Sequence, residues 1–219
     1  MNRVLKVGFL LITRLMVLLL IGLCIHHKDR LPTTGPAIIV ANHNSHLDTL
    51  VLMSLFPLSI AHHLRPVANE HYFLQQNRWL AWFSRQVLDI IPVACETREG
   101  DRQEDSFTHR TFLQTCAEAL AHNQILILYP EGTRGQPEQL SQFRSGIAHL
   151  ARRHPDVPII PIFLQGLGKA LPKGESLLVP FLCGIHIGEP VYWQGQKQAF
   201  LNQLSDRIRA LSTEQLLPA

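Results

Sequence analysis

At 219 residues the chain suits one domain with a substantial core, and a net charge of +3 is too small to mark a nucleic-acid-binding surface. Charged residues make up 17% against 46% apolar, a lean surface for a freely soluble protein, which directs attention to a membrane. Cys24, Cys95, Cys116 and Cys183 lie far apart with no CxxC pair, which argues against a structural zinc centre and for free thiols in a reducing compartment.

Five basic residues fall in the first 30 positions (Arg3, Lys6, Arg14, Lys28 and Arg30), opposed there only by Asp29, a local excess suited to an anionic lipid surface. Between Val7 and Ile25 nearly every residue is apolar, broken by Thr13 and Arg14. As a helix these residues would measure about 28 Å, close to the hydrocarbon thickness of roughly 30 Å. Arg14 costs about 2.5–3.5 kcal/mol there, and the strongly apolar residues return about 0.3–0.6 each, so the sum narrowly favours a spanning helix over an adsorbed one. Residues 1–27 are therefore expected to form a membrane anchor and 28–219 the rest of the fold as one domain. Balanced charge on the two sides leaves orientation open.

Residues 26–36 form a polar linker rich in Pro and Gly. Ala37–Ala41 then reads as a buried strand, followed by NHNSHLD and a helix to about Phe56. A short strand is expected at Val67–Asn69, a helix over Tyr72–Ser84, and a strand over Leu88–Ala94. After the charged stretch 96–105 come a helix over Phe107–His122 and a second clear strand, Ile125–Tyr129. A helix over Leu140–His154 stops at Pro155, a strand covers Val157–Leu164, a further strand 183–189, and a final helix Lys197–Leu211. Alternating strands and helices predict an α/β fold, a central mostly parallel or mixed sheet flanked by helices, with chemistry where strands end.

The first strand ends in Asn42-His43-Asn44-Ser45-His46-Leu47-Asp48. A histidine acting as a base needs a carboxylate on one ring nitrogen so that the other can take a proton. In a continuous helix residues five apart sit about 140° around the axis, so His43 and Asp48 meet only if His43 lies on the strand-to-helix turn. Ser45 beginning the helix, with Asp48 three residues on in a capping-box arrangement, would supply that bend. Two other readings stay open from these residues alone: Asp48 as a plain helix cap, and His46 as the base. Metal binding by His43 and His46 lacks a third ligand. The second strand ends in Tyr129-Pro130-Glu131-Gly132-Thr133-Arg134-Gly135, where glycines permit close backbone approach and Arg134 offers a planar fork for phosphate oxygens. Arg144 could add a second phosphate contact. A solvated strand-exit turn is the plain alternative.

In combination these elements resemble the glycerophospholipid (lysophosphatidate-type) acyltransferases. Asn42, His43 and Asp48 match that family's NHxxxxD block, and YPEGTR with Phe143-Arg144-Ser145-Gly146 matches its FPEGTR block and the stretch after it. Val157-Pro158-Ile159-Ile160-Pro161 matches a later strand, so the resemblance covers about residues 36–190. Tyr129 stands where the family has Phe, Arg144-Ser145 where it has two lysines, and Arg98 is displaced from the usual arginine after an Ile-Pro-Val strand end. The resemblance implies acyl transfer from acyl-CoA or acyl carrier protein to a lysophospholipid hydroxyl, most directly that of 1-acylglycerol-3-phosphate, with no resident cofactor and no metal. His43 and Asp48 would be catalytic, and Glu131, Gly132, Thr133, Arg134 and Arg144 would hold the substrate. Membrane lipids and the acyl carrier are the partners implied, with residues 28–219 as the catalytic domain and a cytoplasmic face of the inner or plasma membrane expected because activated acyl donors are found there. Another lysolipid acceptor, a hydrolase using the same pair on water, and a non-enzymatic lipid-binding protein are the alternatives. The usual serine-hydrolase GxSxG signature is absent.

Overall fold

The computed structural model describes residues 2–45, 47–69, 78–93, 102–132, 135, 140–170 and 182–214. Helix α1 (Arg3–Leu20) leads into strand β1 (Gly22–His26), then β2 (Ala37–Ala41), α2 (Asp48–Leu55), β3 (Leu64–Asn69), α3 (Arg78–Phe83) and β4 (Ile91–Val93). Next come α4 (Arg102–Ala121), β5 (Ile125–Leu128), α5 (Gly146–Arg153), β6 (Ile159–Gln165), α6 (Leu167–Ala170), β7 (Leu182–Ile187) and α7 (Lys197–Ser212).

The seven strands form one sheet in the order β1-β7-β6-β2-β5-β3-β4, parallel throughout except between β6 and β7. The expected mostly parallel, helix-flanked sheet is what the chain builds. Central strands of such a sheet are covered on both faces, which is why β2 is apolar and β-branched along its length rather than alternating with polar residues. Its side chains divide between two cores. Ala37, Ile39 and Ala41 pack toward α1 and α2, while Ile38 and Val40 pack toward α4, α5 and α7. Ile125 and Ile127 of β5 follow the first set, Leu126 and Leu128 the second. This places the ends of β2 and β5, paired from Ala37–Ile125 to Val40–Leu128, side by side at the carboxyl edge of the sheet.

The N-terminal expectation requires correction. Among the described residues no helix is long and apolar enough to cross a membrane. The apolar run divides instead: Ile21 ends α1 in an extended conformation, and Gly22–His26 pair in parallel with β7 as the sheet's edge strand. The charges that a bilayer would penalise are satisfied by the protein. Lys6 is fully buried, its Nζ donating to the carbonyls of Leu64 at 2.6 Å and Leu88 at 3.3 Å. Arg14 donates to the carbonyls of Ser54 and Phe56 at the end of α2. Lys6, Leu10, Thr13 and Val17 form a buried stripe at helical spacing, flanked by the half-buried Arg14, that fastens α1 to the body of the molecule. Asn2 caps it, accepting from the Val4 and Leu5 N–H groups.

Candidate active site

Because β2 ends at Ala41, the chain can turn through residues 42–47 before α2 begins, and His43 lies on that turn. The helix starts at Asp48, and the expected capping contacts lead into it, Ser45 Oγ accepting from the Leu47 N–H at 3.2 Å. Asp48 reaches back in turn, and its Oδ2 accepts from the backbone N–H groups of Asn44 at 2.7 Å and Ser45 at 2.8 Å. Those two bonds fold residues 43–45 over the helix start. The same oxygen lies 2.9 Å from His43 Nδ1. A carboxylate only accepts, so Nδ1 donates and Nε2 is left with the lone pair. Asp48 is fully buried, whereas the His43 ring keeps 21% of its surface open. The pair thus combines a sheltered charge with a reachable imidazole.

The turn is braced from three further directions. Asn42 extends the ladder with its side chain, accepting from the Leu164 N–H at 2.7 Å and donating to the Leu164 carbonyl at 2.9 Å. The His43 carbonyl accepts from the Gly135 N–H at 2.9 Å. Glu131, only 5% exposed, accepts from the His43 N–H at 3.0 Å through Oε1 and from the Ser141 N–H at 2.9 Å through Oε2. Glu131, expected among the substrate-holding residues, thus has each oxygen bonded to the backbone of a different loop and ties the two loops together.

Gly132 follows with φ of 76°, a left-handed conformation that favours glycine, and a methyl group there would collide with the Arg144 side chain. Arg144 is exposed and lies over Gly132, its N–H donating to the Pro130 carbonyl at 2.8 Å. Of the expected substrate-holding residues, Gly132 and Arg144 are therefore brought together beside His43. Thr133 and Arg134 lie outside the described residues, as do the competing base His46 and the displaced Arg98.

Tyr129, which the sequence marks only as standing where the family has Phe, is a direct neighbour of His43. Its ring stacks on the His43 imidazole, with centroids 4.0 Å apart and planes 18° from parallel. Its hydroxyl is 2.9 Å from Thr49 Oγ1 in the first turn of α2. Burial, reinforced by the nearby Asp48 charge and opposed by the Thr49 bond, pushes the phenol well above its ordinary pKa of 10.0. Tyr129 is thus a neutral phenol that cannot compete with His43 as a base.

Residues 22–165, from the first residue of β1 to the last of β6, match the family described as Acyltransferase. The chain belongs to this acyltransferase family. Among curated relatives, this acyltransferase is 27% identical over 184 residues to 1-acyl-sn-glycerol-3-phosphate acyltransferase alpha of Ovis aries, covering 84% of this chain and 58% of that one. It is 26% identical over 166 residues to 1-acyl-sn-glycerol-3-phosphate acyltransferase BAT2, chloroplastic, of Brassica napus, covering 75% and 43%. It therefore spans about half the length of the curated relatives it matches. A solved structure, the 1-acyl-sn-glycerophosphate (LPA) acyltransferase PlsC from Thermotoga maritima, superposes with a TM-score of 0.70 over 95% of this chain and 78% of that one. At 19% identity that likeness concerns the fold.

Proposed function

We propose that this acyltransferase moves a fatty acyl group from a thioester, acyl-CoA or acyl carrier protein, to the free hydroxyl of 1-acylglycerol-3-phosphate. The observation that carries the reading is the 2.9 Å contact between His43 and the buried Asp48 at the carboxyl edge of the sheet. The acceptor is taken from the activity for which those relatives are named. In the reaction, Nε2 of His43 takes the acceptor's hydroxyl proton as that oxygen attacks the thioester carbonyl. The tetrahedral intermediate collapses by breaking the C–S bond, and the imidazolium returns its proton to the departing thiolate. Asp48 stabilises the imidazolium between these steps, and no acyl-enzyme is needed. Gly132 and Arg144, with Thr133 and Arg134 from the matched block, would hold the acceptor phosphate.

The membrane is met by adsorption rather than by crossing. Val4, Leu11, Ile12, Leu15, Met16 and Leu19 of α1 are each at least half exposed and face away from the buried stripe. An apolar helix face of this kind, on a helix whose Lys6 and Arg14 are tied into the protein, suits immersion at the level of the lipid headgroups. Alkaline carbonate should therefore release the protein from membranes, and retention would restore the spanning arrangement. The catalytic reading is tested by incubating purified protein with labelled acyl-CoA or acyl carrier protein and a panel of lysolipids. Labelled phosphatidate is the expected product. Release of free fatty acid without transfer would make the protein a hydrolase.

A further inference from the structure

Asp48 holds Nδ1 of His43, and a pivot of the ring about that contact would sweep Nε2 away from any substrate hydroxyl. The face of Tyr129 opposes such a pivot, with ring centroids 4.0 Å apart and planes nearly parallel. Tyr129 is itself restrained, because its hydroxyl bonds Thr49. Thr49 directly follows Asp48, so one turn of α2 carries both the carboxylate that holds Nδ1 and the hydroxyl that tethers the stacked ring. From this geometry we infer that Tyr129 is a positioning residue for His43, its ring setting the imidazole plane and its tether to Thr49 keeping that ring in place.

The inference rests on the acyl-transfer reading for its kinetic consequences, while its structural consequence can be read without turnover. Replacing the ring with an aliphatic side chain, Tyr129→Leu, fills much of the space without supplying a planar face. Turnover should fall about 10–100-fold, as expected for a base displaced by a fraction of an ångström to one ångström. The KM of both substrates should stay within about twofold, because nothing that binds them is removed. Tyr129→Phe keeps the face and loses only the tether, so it should cost about 2–5-fold in kcat, the size of a lost neutral hydrogen bond. Thr49→Val breaks the same bond from the other side. It should match Tyr129→Phe, and the double variant should be no slower than either alone, since both remove one interaction.

The readout independent of activity is the Nδ1–H resonance of His43 in the 15N-labelled protein, identified by its absence from His43→Ala. It should be sharp in the wild type and in Tyr129→Phe, and broadened or lost in Tyr129→Leu. A Tyr129→Leu variant with kcat within about threefold of wild type, or with its loss confined to KM, overturns the inference. An unchanged resonance in that variant overturns it as well. Should the protein transfer no acyl group, the functional reading fails, and the resonance still decides whether Tyr129 orders His43.

Discussion

The turn after β2 and the cleft beneath α1 both bury charge against backbone groups, and they do so to opposite ends. Asp48 gathers two backbone N–H groups and the His43 Nδ1–H on one oxygen, and His43 carries the effect of that charge to a partly open surface. Lys6 and Arg14 gather carbonyls of Leu64, Leu88, Ser54 and Phe56, and so hold α1 against the body of the protein. The first arrangement suits a neighbour to proton transfer. The second orients a helix, so that Lys6 and Arg14 face inward and Leu11, Leu15 and Leu19 outward. A buried charge becomes chemistry only where a second, accessible group is coupled to it.

The largest effect that sharpens this contrast comes from the first region. His43→Ala should lower turnover about 10²–10⁴-fold, the usual worth of a general base, with thermal melting unchanged. Asp48→Asn should lose comparable rate and also melt earlier, because a buried carboxylate holding three N–H donors is replaced by a neutral amide. Retention of more than roughly a tenth of the rate in His43→Ala would remove His43 from the role of base. Next in size is the outer face of α1. Leu15→Glu with Leu19→Glu forfeits the immersion of two leucines, about 1.5–3 kcal/mol each, so binding to anionic lipid vesicles should weaken at least ~10²-fold. Turnover on detergent-dispersed acceptor should be unchanged, and a matching fall there would make the face part of the active site.

The smallest effect belongs to Lys6. Burial lowers its pKa from 10.5 to about 8, with Asp89 opposing and Arg65 adding to the shift. The unfolded chain therefore holds this proton between pH 8 and 10.5 when the folded protein has released it. Stability from this group rises with pH across that window, and the penalty is complete below it, on the order of 3 kcal/mol at most. Denaturant titrations of wild type and Lys6→Met should show the wild type gaining on the variant from pH 8 to 10.5. Parallel curves would mean that Lys6 remains charged in its carbonyl cage. Acyl transfer at neutral pH should be the same in both.

Much of the sheet was legible because a buried parallel strand has a composition of its own. Ala37–Ala41 was read with its observed ends, and Ile125–Leu128 to within one residue. β1 was not legible. Gly22–His26 continues the apolar run of α1 without a break in composition, and only pairing with β7, far along the chain, makes it a strand. The expected helix from Leu140 begins instead at Gly146, because the preceding residues are drawn aside, Ser141 to Glu131 and Arg144 to Pro130. His43 and Asp48 were legible as a pair because their contact is local. The Tyr129–Thr49 bond and the Glu131 clamp join residues far apart in sequence, and no spacing rule announces them.

The pairing of β1 with β7 also bears on how the chain is made. Gly22 pairs with Leu182, so the edge strand leaves the ribosome long before its partner exists. At about 5–20 residues per second the wait is roughly 8–30 s, during which an apolar strand has no neighbour. Removing the first 27 residues to shed the outward-facing helix would make that vacancy permanent, leaving β7 as a bare edge open to association with other molecules. Because α1 also covers Ala37, Ile39 and Ala41, a chain meant to stay dispersed should keep both elements and replace only outward residues such as Leu15 and Leu19.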